Sequence, residues 1–363
     1  LKEVIHLLNN AKQPLILAGV EVGRIKMQDE LLKLTEKMQI PIASTLLGKS
    51  VVSESHNLSL GTFFGNLSNE RAKNYLQKSD CVLCLGAILS DVNLGMFTYE
   101  FDRNTLIESR IESLKVKHHE YTGITLEKLI NGLLTDQTLK KHNIKLPKRV
   151  DAFEGLTIEK SKIKTQHVEI LLNQFLNRSN SPTYRIVCDV GDCLFIGQGL
   201  HLNNISCFLS PAYYLSMGFA VPGGIGAQIA EPEKRPLILV GDGAFQMTGL
   251  ELISATRLNL NPVVILLNNG SYATLENVEL DSIPGSYAIG KYDYYKMAEI
   301  FGGIGLKCET TNAFELALKD IEGKYKDKMV IIQVDLEPDD CTEVLSSFGE
   351  RMGKSNKDAS QNS

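Results

Sequence analysis

The chain has 363 residues, of which 43% are hydrophobic and 22% charged, with a formal net charge of −5. That length favours two domains over one core, and the acidic balance offers no basic face for a nucleic-acid partner. No apolar run approaches the roughly 20 residues that a membrane-spanning helix needs, and no signal-peptide pattern opens the chain.

In chain order, LKEVIHLLNN reads as a polar-faced helix. Strands are expected at 14–20, 41–47 and 80–89, helices at 27–40, 69–79 and 125–135, and weaker strands at 104–109 and 113–121. Such alternation argues for a parallel sheet covered on both faces. Residues 136–164 are lysine-rich with few aliphatics in register, and read as a solvated linker rather than a basic binding patch. A second alternating block follows, with strands at 185–190, 207–210, 236–240, 262–267, 303–309 and 329–336 and helices at 216–230, 249–259 and 312–325. The polar end, 346–363, is expected to be disordered. The fold class expected is α/β, with two doubly wound parallel-sheet domains at 1–135 and 165–345.

The seven cysteines (Cys81, Cys84, Cys188, Cys193, Cys207, Cys308 and Cys341) are odd in number and scattered. This predicts a reducing compartment, the cytoplasm, and no disulfide framework. Cys81 and Cys84 form a C-x-x-C, but no second pair follows and the stretch reads as a buried strand, so a structural role outweighs half a zinc site. The chain starts at Leu1 rather than Met, which leads us to expect missing sequence upstream.

The stretch LILVGDGAFQMTGLELISATRLNLNPVVILLNNGSYATLE carries the chemistry. Gly241-Asp242-Gly243 ends one aliphatic strand and Asn268-Asn269 ends the next, with residues 244–267 between them for a crossover helix and a strand. Ligands bind outside the carboxyl ends of such strands. Asp242 offers a carboxylate oxygen, Asn269 an amide oxygen and Ser271 a backbone carbonyl, all hard donors suited to Mg²⁺. The glycines allow close backbone approach, and free N–H groups after Gly243 favour a diphosphate. Either turn alone is common; both, correctly spaced and each ending a strand, are not.

Residues 241–269 resemble the cofactor motif of thiamine diphosphate-dependent enzymes. VCDVGDCLF (187–195), YLSMGFAVPGGIGAQ (214–228) and GDGAFQMTG (241–249) resemble the 2-oxo acid decarboxylases, most of all the phenylpyruvate/indolepyruvate branch. SDCVLCLGAILSDVNLGMFT (79–98) resembles their central domain. The resemblance implies a cofactor site formed by Gly191, Asp192, Leu215, Met217, Gly241, Asp242, Gly243, Ala244, Phe245, Asn269, Ser271 and Tyr272. Met217 would be the apolar wedge that bends thiamine diphosphate, and the Leu215 carbonyl would accept a hydrogen bond from its 4'-amino group; these two are the expected catalytic residues. Asp192 suits either the pyrimidine side or a helix cap, since a carboxylate beside a diphosphate is awkward.

Two apparent matches mislead. Pyruvate decarboxylases place a glutamate six residues after the second Asn; here that position is Leu275, expected as a wall of the substrate pocket, and Glu276 is expected to be structural. The family's adjacent histidines lie in an N-terminal pyrimidine-binding domain, whereas His118-His119 falls in the central domain and is expected at the surface. Asp91 ends a central-domain strand and is a weaker candidate for the cleft.

The implied reaction is decarboxylation of an aryl or branched 2-oxo acid to the aldehyde, the cofactor acting as electron sink. Nothing resembles the pyrimidine-binding domain, so the chain is expected to be a fragment or one subunit of a homo- or hetero-oligomer. The rivals are an acetolactate synthase-type carboligase, with flavin in its central domain, and a non-catalytic cofactor-binding subunit.

Overall fold

The computed structural model describes residues 1–149, 153, 156, 158–178, 184–279, 283 and 285–361. The chain divides into two compact units, one comprising Leu1–Asp151 with His201–Ser206, the other Ala152–Leu200 with Cys207–Ser363.

The first unit holds a seven-stranded sheet. Its strands are β1 (Pro14–Ala18), β2 (Ile42–Thr45), β3 (Ser59–Phe63), β4 (Cys81–Leu85), β5 (Leu106–Ser109), β6 (Ser113–Val116) and β7 (His119–Thr122). Their spatial order is β3-β2-β1-β4-β5-β6-β7. The first five pair in parallel, and β5-β6-β7 form an antiparallel edge. The aliphatic runs of β1 and β4 follow from cover on both faces: Ile16, Ala18, Cys81, Leu83 and Leu85 enter one apolar cluster, and Leu15, Leu17, Val82 and Cys84 the other. This parity also decides the C-x-x-C. Residues i and i+3 of a strand point to opposite faces, so the two thiols belong to different cores. Burial pushes the Cys81 thiol up to about 12 and raises that of Cys84.

Three expectations need correction. Residues 113–121 are not one strand but the hairpin of β6 and β7, with Val116 opposite His119 and the turn at Lys117-His118, where Lys117 adopts φ 55°. The described part of the expected linker, 136–149, belongs to the first unit. Leu139, Ile144 and Leu146 dock on its apolar clusters and the His142 N–H donates to the Met38 carbonyl at 2.8 Å. The lysines dominate the composition there, but three aliphatic anchors fix the chain. Finally, the expected disordered tail is a helix, Glu343–Gln361. Leu345 and Phe348 lie on one helical face and are buried, with the Phe348 ring 5.4 Å from Phe195. Strand β3 had no sequence signal.

The second unit holds β8 (Tyr184–Cys188), β9 (Phe208–Leu209), β10 (Arg235–Gly241), β11 (Val263–Asn268), β12 (Ile304–Cys308) and β13 (Val330–Asp335). They are all parallel, in the order β12-β13-β11-β10-β8-β9. Val187, Ile238, Val240, Val264, Leu266 and Ile331 share one core cluster under helix Ala220–Ala230. Strand β9 lies on one side of β8 and β10 on the other, which makes the carboxyl end of the β8–β10 gap a switch point. In the β10–β11 register Gly241 lies opposite Leu267, so Asp242 leaves the sheet abreast of Asn268, one residue before Asn269.

Phe348→Ala is expected to destabilise the second unit by about 3–5 kcal/mol, the usual cost of truncating a buried phenylalanine. It should also speed amide exchange along Glu343–Gln361. Denaturation with exchange mass spectrometry measures both, and a tail that contributed nothing would leave both unchanged.

Candidate functional site

The turns at the ends of β10 and β11 meet through one carboxylate. Asp242, the first residue of helix Asp242–Thr248, is 2% exposed. Its Oδ1 accepts the Gly243 N–H at 2.8 Å and its Oδ2 accepts the Gly270 N–H at 2.6 Å. Asn269 is half-buried, and its Oδ1 accepts the Ser271 N–H at 3.0 Å, which rounds the second turn. Ser271 is buried and bridged to Ala288. Gly243 is required by a close approach: a Cβ there would sit 2.3 Å from the Tyr272 ring. Tyr272 thus covers the first turn from the second. Burial pushes the Asp242 carboxyl up to about 6, and its backbone hydrogen bonds pull the other way.

A third segment arrives from 211–220. Leu215 has φ 53°, a costly conformation for a branched residue, and its N–H donates to the Pro211 carbonyl at 2.9 Å. Met217 is half-buried and packs on the core of the unit. Sequence reasoning missed what holds this segment. Asp189, fully buried at the end of β8, accepts the Gly218 N–H at 3.2 Å and the Ala220 N–H at 2.8 Å.

Other expected residues are placed as follows. Gly191 precedes helix Asp192–Gly199 and faces Thr274. The Asp192 Oδ1 accepts the Thr342 N–H at 3.0 Å and the Thr342 hydroxyl at 2.6 Å, which ties it to the C-terminal helix rather than to its own N-terminus. Burial pushes its carboxyl up to about 6. The Ala244 and Phe245 side chains lie in the core, with the Phe245 ring 5.6 Å from Tyr294, so only their backbone is left for a ligand. Leu275 is 44% exposed on helix Ala273–Val278, and Glu276 is half-buried on it. His118 and His119 are exposed at the β6–β7 hairpin. The Asp91 carboxylate accepts the Val92 N–H at 2.7 Å in the loop after β4.

The fold of the two units agrees with comparisons to known proteins. Residues 1–132 match the thiamine pyrophosphate enzyme central domain, and residues 189–334 match the thiamine pyrophosphate enzyme C-terminal TPP-binding domain. The chain belongs to the thiamine pyrophosphate enzymes. It is 30% identical to indole-3-pyruvate decarboxylase of Azospirillum brasilense over 87% of this chain and 57% of that protein. It is 27% identical to pyruvate decarboxylase isozyme 2 of Saccharomyces cerevisiae over 92% of this chain and 60% of that one. Pyruvate decarboxylase of Kluyveromyces lactis is 26% identical over 83% of this chain and 54% of the relative. The chain therefore spans only part of the length of these relatives.

The residues present fit the cofactor of a thiamine pyrophosphate enzyme and a hard divalent cation. Asp242, Asn269 and the Ser271 carbonyl supply oxygen donors alone. Each Asp242 oxygen accepts one backbone N–H, which leaves lone pairs for a cation. Beside them the Asn268 amide donates to Asp335 Oδ1 at 2.7 Å, while its Oδ1 is buried without a partner among the described residues. No cluster of three or more His, Cys, Asp or Glu suited to a metal occurs among the described residues. No helix among the described residues is long and apolar enough to cross a membrane.

The raised carboxyl value of Asp242 has a pH consequence. Between about pH 4 and 6 the native state keeps a proton that the unfolded chain has released, so this group favours folding at the acid end and loses that contribution as pH rises through about 6. Without added metal, the melting temperature of the wild type minus that of Asp242→Asn should therefore shrink between pH 4.5 and pH 7. A difference constant with pH contradicts the assignment.

Proposed function

We propose that this chain binds Mg²⁺ and thiamine diphosphate and serves the non-oxidative decarboxylation of an aryl or branched 2-oxo acid, such as phenylpyruvate or indolepyruvate, to the aldehyde. The observation that carries this reading is the Asp242 carboxylate joining the two sheet-edge turns through Gly243 and Gly270. The relatives named above, decarboxylases of indole-3-pyruvate and pyruvate, support the reaction class. We further propose that the chain acts as part of a longer protein or as one subunit of an oligomer in the cytoplasm, with a pyrimidine-binding domain supplied from outside these 363 residues.

In this reading, Asp242, Asn269 and the Ser271 carbonyl hold the cation, and Gly241, Gly243, Gly191 and Tyr272 bound the diphosphate. When bound, thiamine diphosphate supplies an electron sink for the carbon–carbon bond that breaks. Met217 would pack against the cofactor as an apolar support, and the Leu215 carbonyl would accept a hydrogen bond from its 4'-amino group. The positive φ of Leu215 is the local strain that such a presentation would require. Leu275 offers an apolar wall, which suits an aryl or branched side chain better than a carboxylate would. Asp192, bonded to Thr342, holds the C-terminal helix beside the helix that bears Leu275.

Calorimetry of thiamine diphosphate binding to the 363-residue chain, with and without Mg²⁺, tests the reading. Asp242→Ala should weaken Mg²⁺-dependent binding by roughly 100-fold or more, since loss even of an outer-shell partner costs about 10–100-fold. Binding indifferent to Mg²⁺ or to Asp242 would refute the cation site. The isolated chain should release no aldehyde from phenylpyruvate until a pyrimidine-binding domain is added, and turnover by the chain alone would refute that requirement.

A further inference from the structure

Gly218 directly follows Met217, and the peptides on either side of its Cα are each held by a residue that the reading above leaves without a role. Its N–H donates to Asp189 Oδ1 at 3.2 Å, and its carbonyl accepts the Thr248 hydroxyl at 2.9 Å. Asp189 is fully buried, and it also accepts the Val190 N–H at 3.0 Å and the Ala220 N–H at 2.8 Å. Thr248 is half-buried at the last residue of helix Asp242–Thr248. Gly218 adopts φ 80°, and a Cβ there would lie 3.0 Å from the Thr248 methyl and 3.3 Å from Met247. No side chain can be added without displacing the clamp.

A buried carboxylate carries a desolvation cost, and here that cost is offset by backbone donors alone. Three of its N–H partners come from two segments: Val190 on its own loop, and Gly218 and Ala220 on the segment bearing Met217. Leu215, at φ 53°, is tied within its own segment by its N–H to the Pro211 carbonyl at 2.9 Å. On the C-terminal side, Asp189 and Thr248 tie the stretch to other elements of the unit. Helix Asp242–Thr248 links the lock to the cation turn, since Asp242 starts it and Thr248 ends it.

We infer that Asp189 and Thr248 are positioning residues that clamp Gly218 and so set Met217 and the Leu215 carbonyl against the aminopyrimidine half of thiamine diphosphate, while Asp242 and Asn269 serve the diphosphate half. This rests on the proposed function. The amide of Asp189→Asn turns an N–H toward Gly218 or Ala220, where both backbone groups are donors. Thr248→Val keeps the shape and removes the hydroxyl alone.

The test compares two ligands on the 363-residue chain in the presence of Mg²⁺: thiamine diphosphate, which needs both halves, and inorganic diphosphate, which needs only the turns. Each variant should weaken thiamine diphosphate about tenfold, the effect of one lost buried hydrogen bond, and leave inorganic diphosphate within about twofold. The circular dichroism band induced in bound thiamine diphosphate should also shrink at saturation. Thr248→Val should melt within a few degrees of wild type, so it decides the matter even if Asp189→Asn unfolds. Unchanged thiamine diphosphate affinity and dichroism in Thr248→Val overturn the clamp and leave the proposed function standing. Parallel losses for both ligands show a general loosening and also overturn it. A wild type that binds thiamine diphosphate no tighter than inorganic diphosphate removes the aminopyrimidine half from this chain. A wild type that binds neither refutes the proposed function itself.

Discussion

The carboxylate of Asp242 is buried, and it remains hydrogen-bonded only because two separate turns each present a backbone N–H to it. This constraint organises the rest of the second unit. Strands β10 and β11 must be adjacent, parallel and in register so that their carboxyl ends finish together. The residue after Asp242 must lack a side chain because Tyr272 packs where a Cβ would stand. Burial raises the Asp242 carboxyl above its ordinary value, against the pull of its backbone hydrogen bonds. A divalent cation would favour its charged form, so metal binding and the ionisation of Asp242 are coupled through the same oxygen atoms.

Cover of each sheet is the second requirement. In the first unit the β1 and β4 side chains divide between two apolar clusters according to strand parity, and this division separates Cys81 from Cys84. A spacing that would suggest a metal pair on a turn becomes two unrelated core residues on a strand. In the second unit the parallel order with its switch point at β8 and β10 collects Asp189, Gly191 and Asp242 at one edge, although two helices and two strands separate Gly191 from Asp242 in sequence. The site is thus a property of strand order as much as of residue type.

Polar groups at this edge work in pairs. Asp189 anchors the segment that bears Leu215 and Met217, and Asp192, three residues on, anchors Thr342 and with it the C-terminal helix. The two carboxylates are thereby committed to protein partners. Asp242 differs in that its buried carboxylate joins the turns after β10 and β11, with the Asn268 amide nearby, and it is the group we propose for the cation.

Much of this was legible in the sequence because it depends on local chemistry. Aliphatic runs of strand length separated by amphipathic stretches require buried parallel strands, and Gly-Asp-Gly and Asn-Asn at their ends require turns there. Composition alone misled where a few apolar anchors outweigh many charges: Leu139, Ile144 and Leu146 in the lysine-rich stretch, and Leu345 and Phe348 at the polar end. The hairpin turn at Lys117-His118 and strand β3 had no signal in the sequence because each pairs with neighbours that only the folded sheet supplies. Asp189 and Thr248 could not be singled out from sequence, since an acid after a strand and a threonine ending a helix are ordinary residues. Their partner, the Gly218 peptide, reaches them only when helix, strand and loop are packed together.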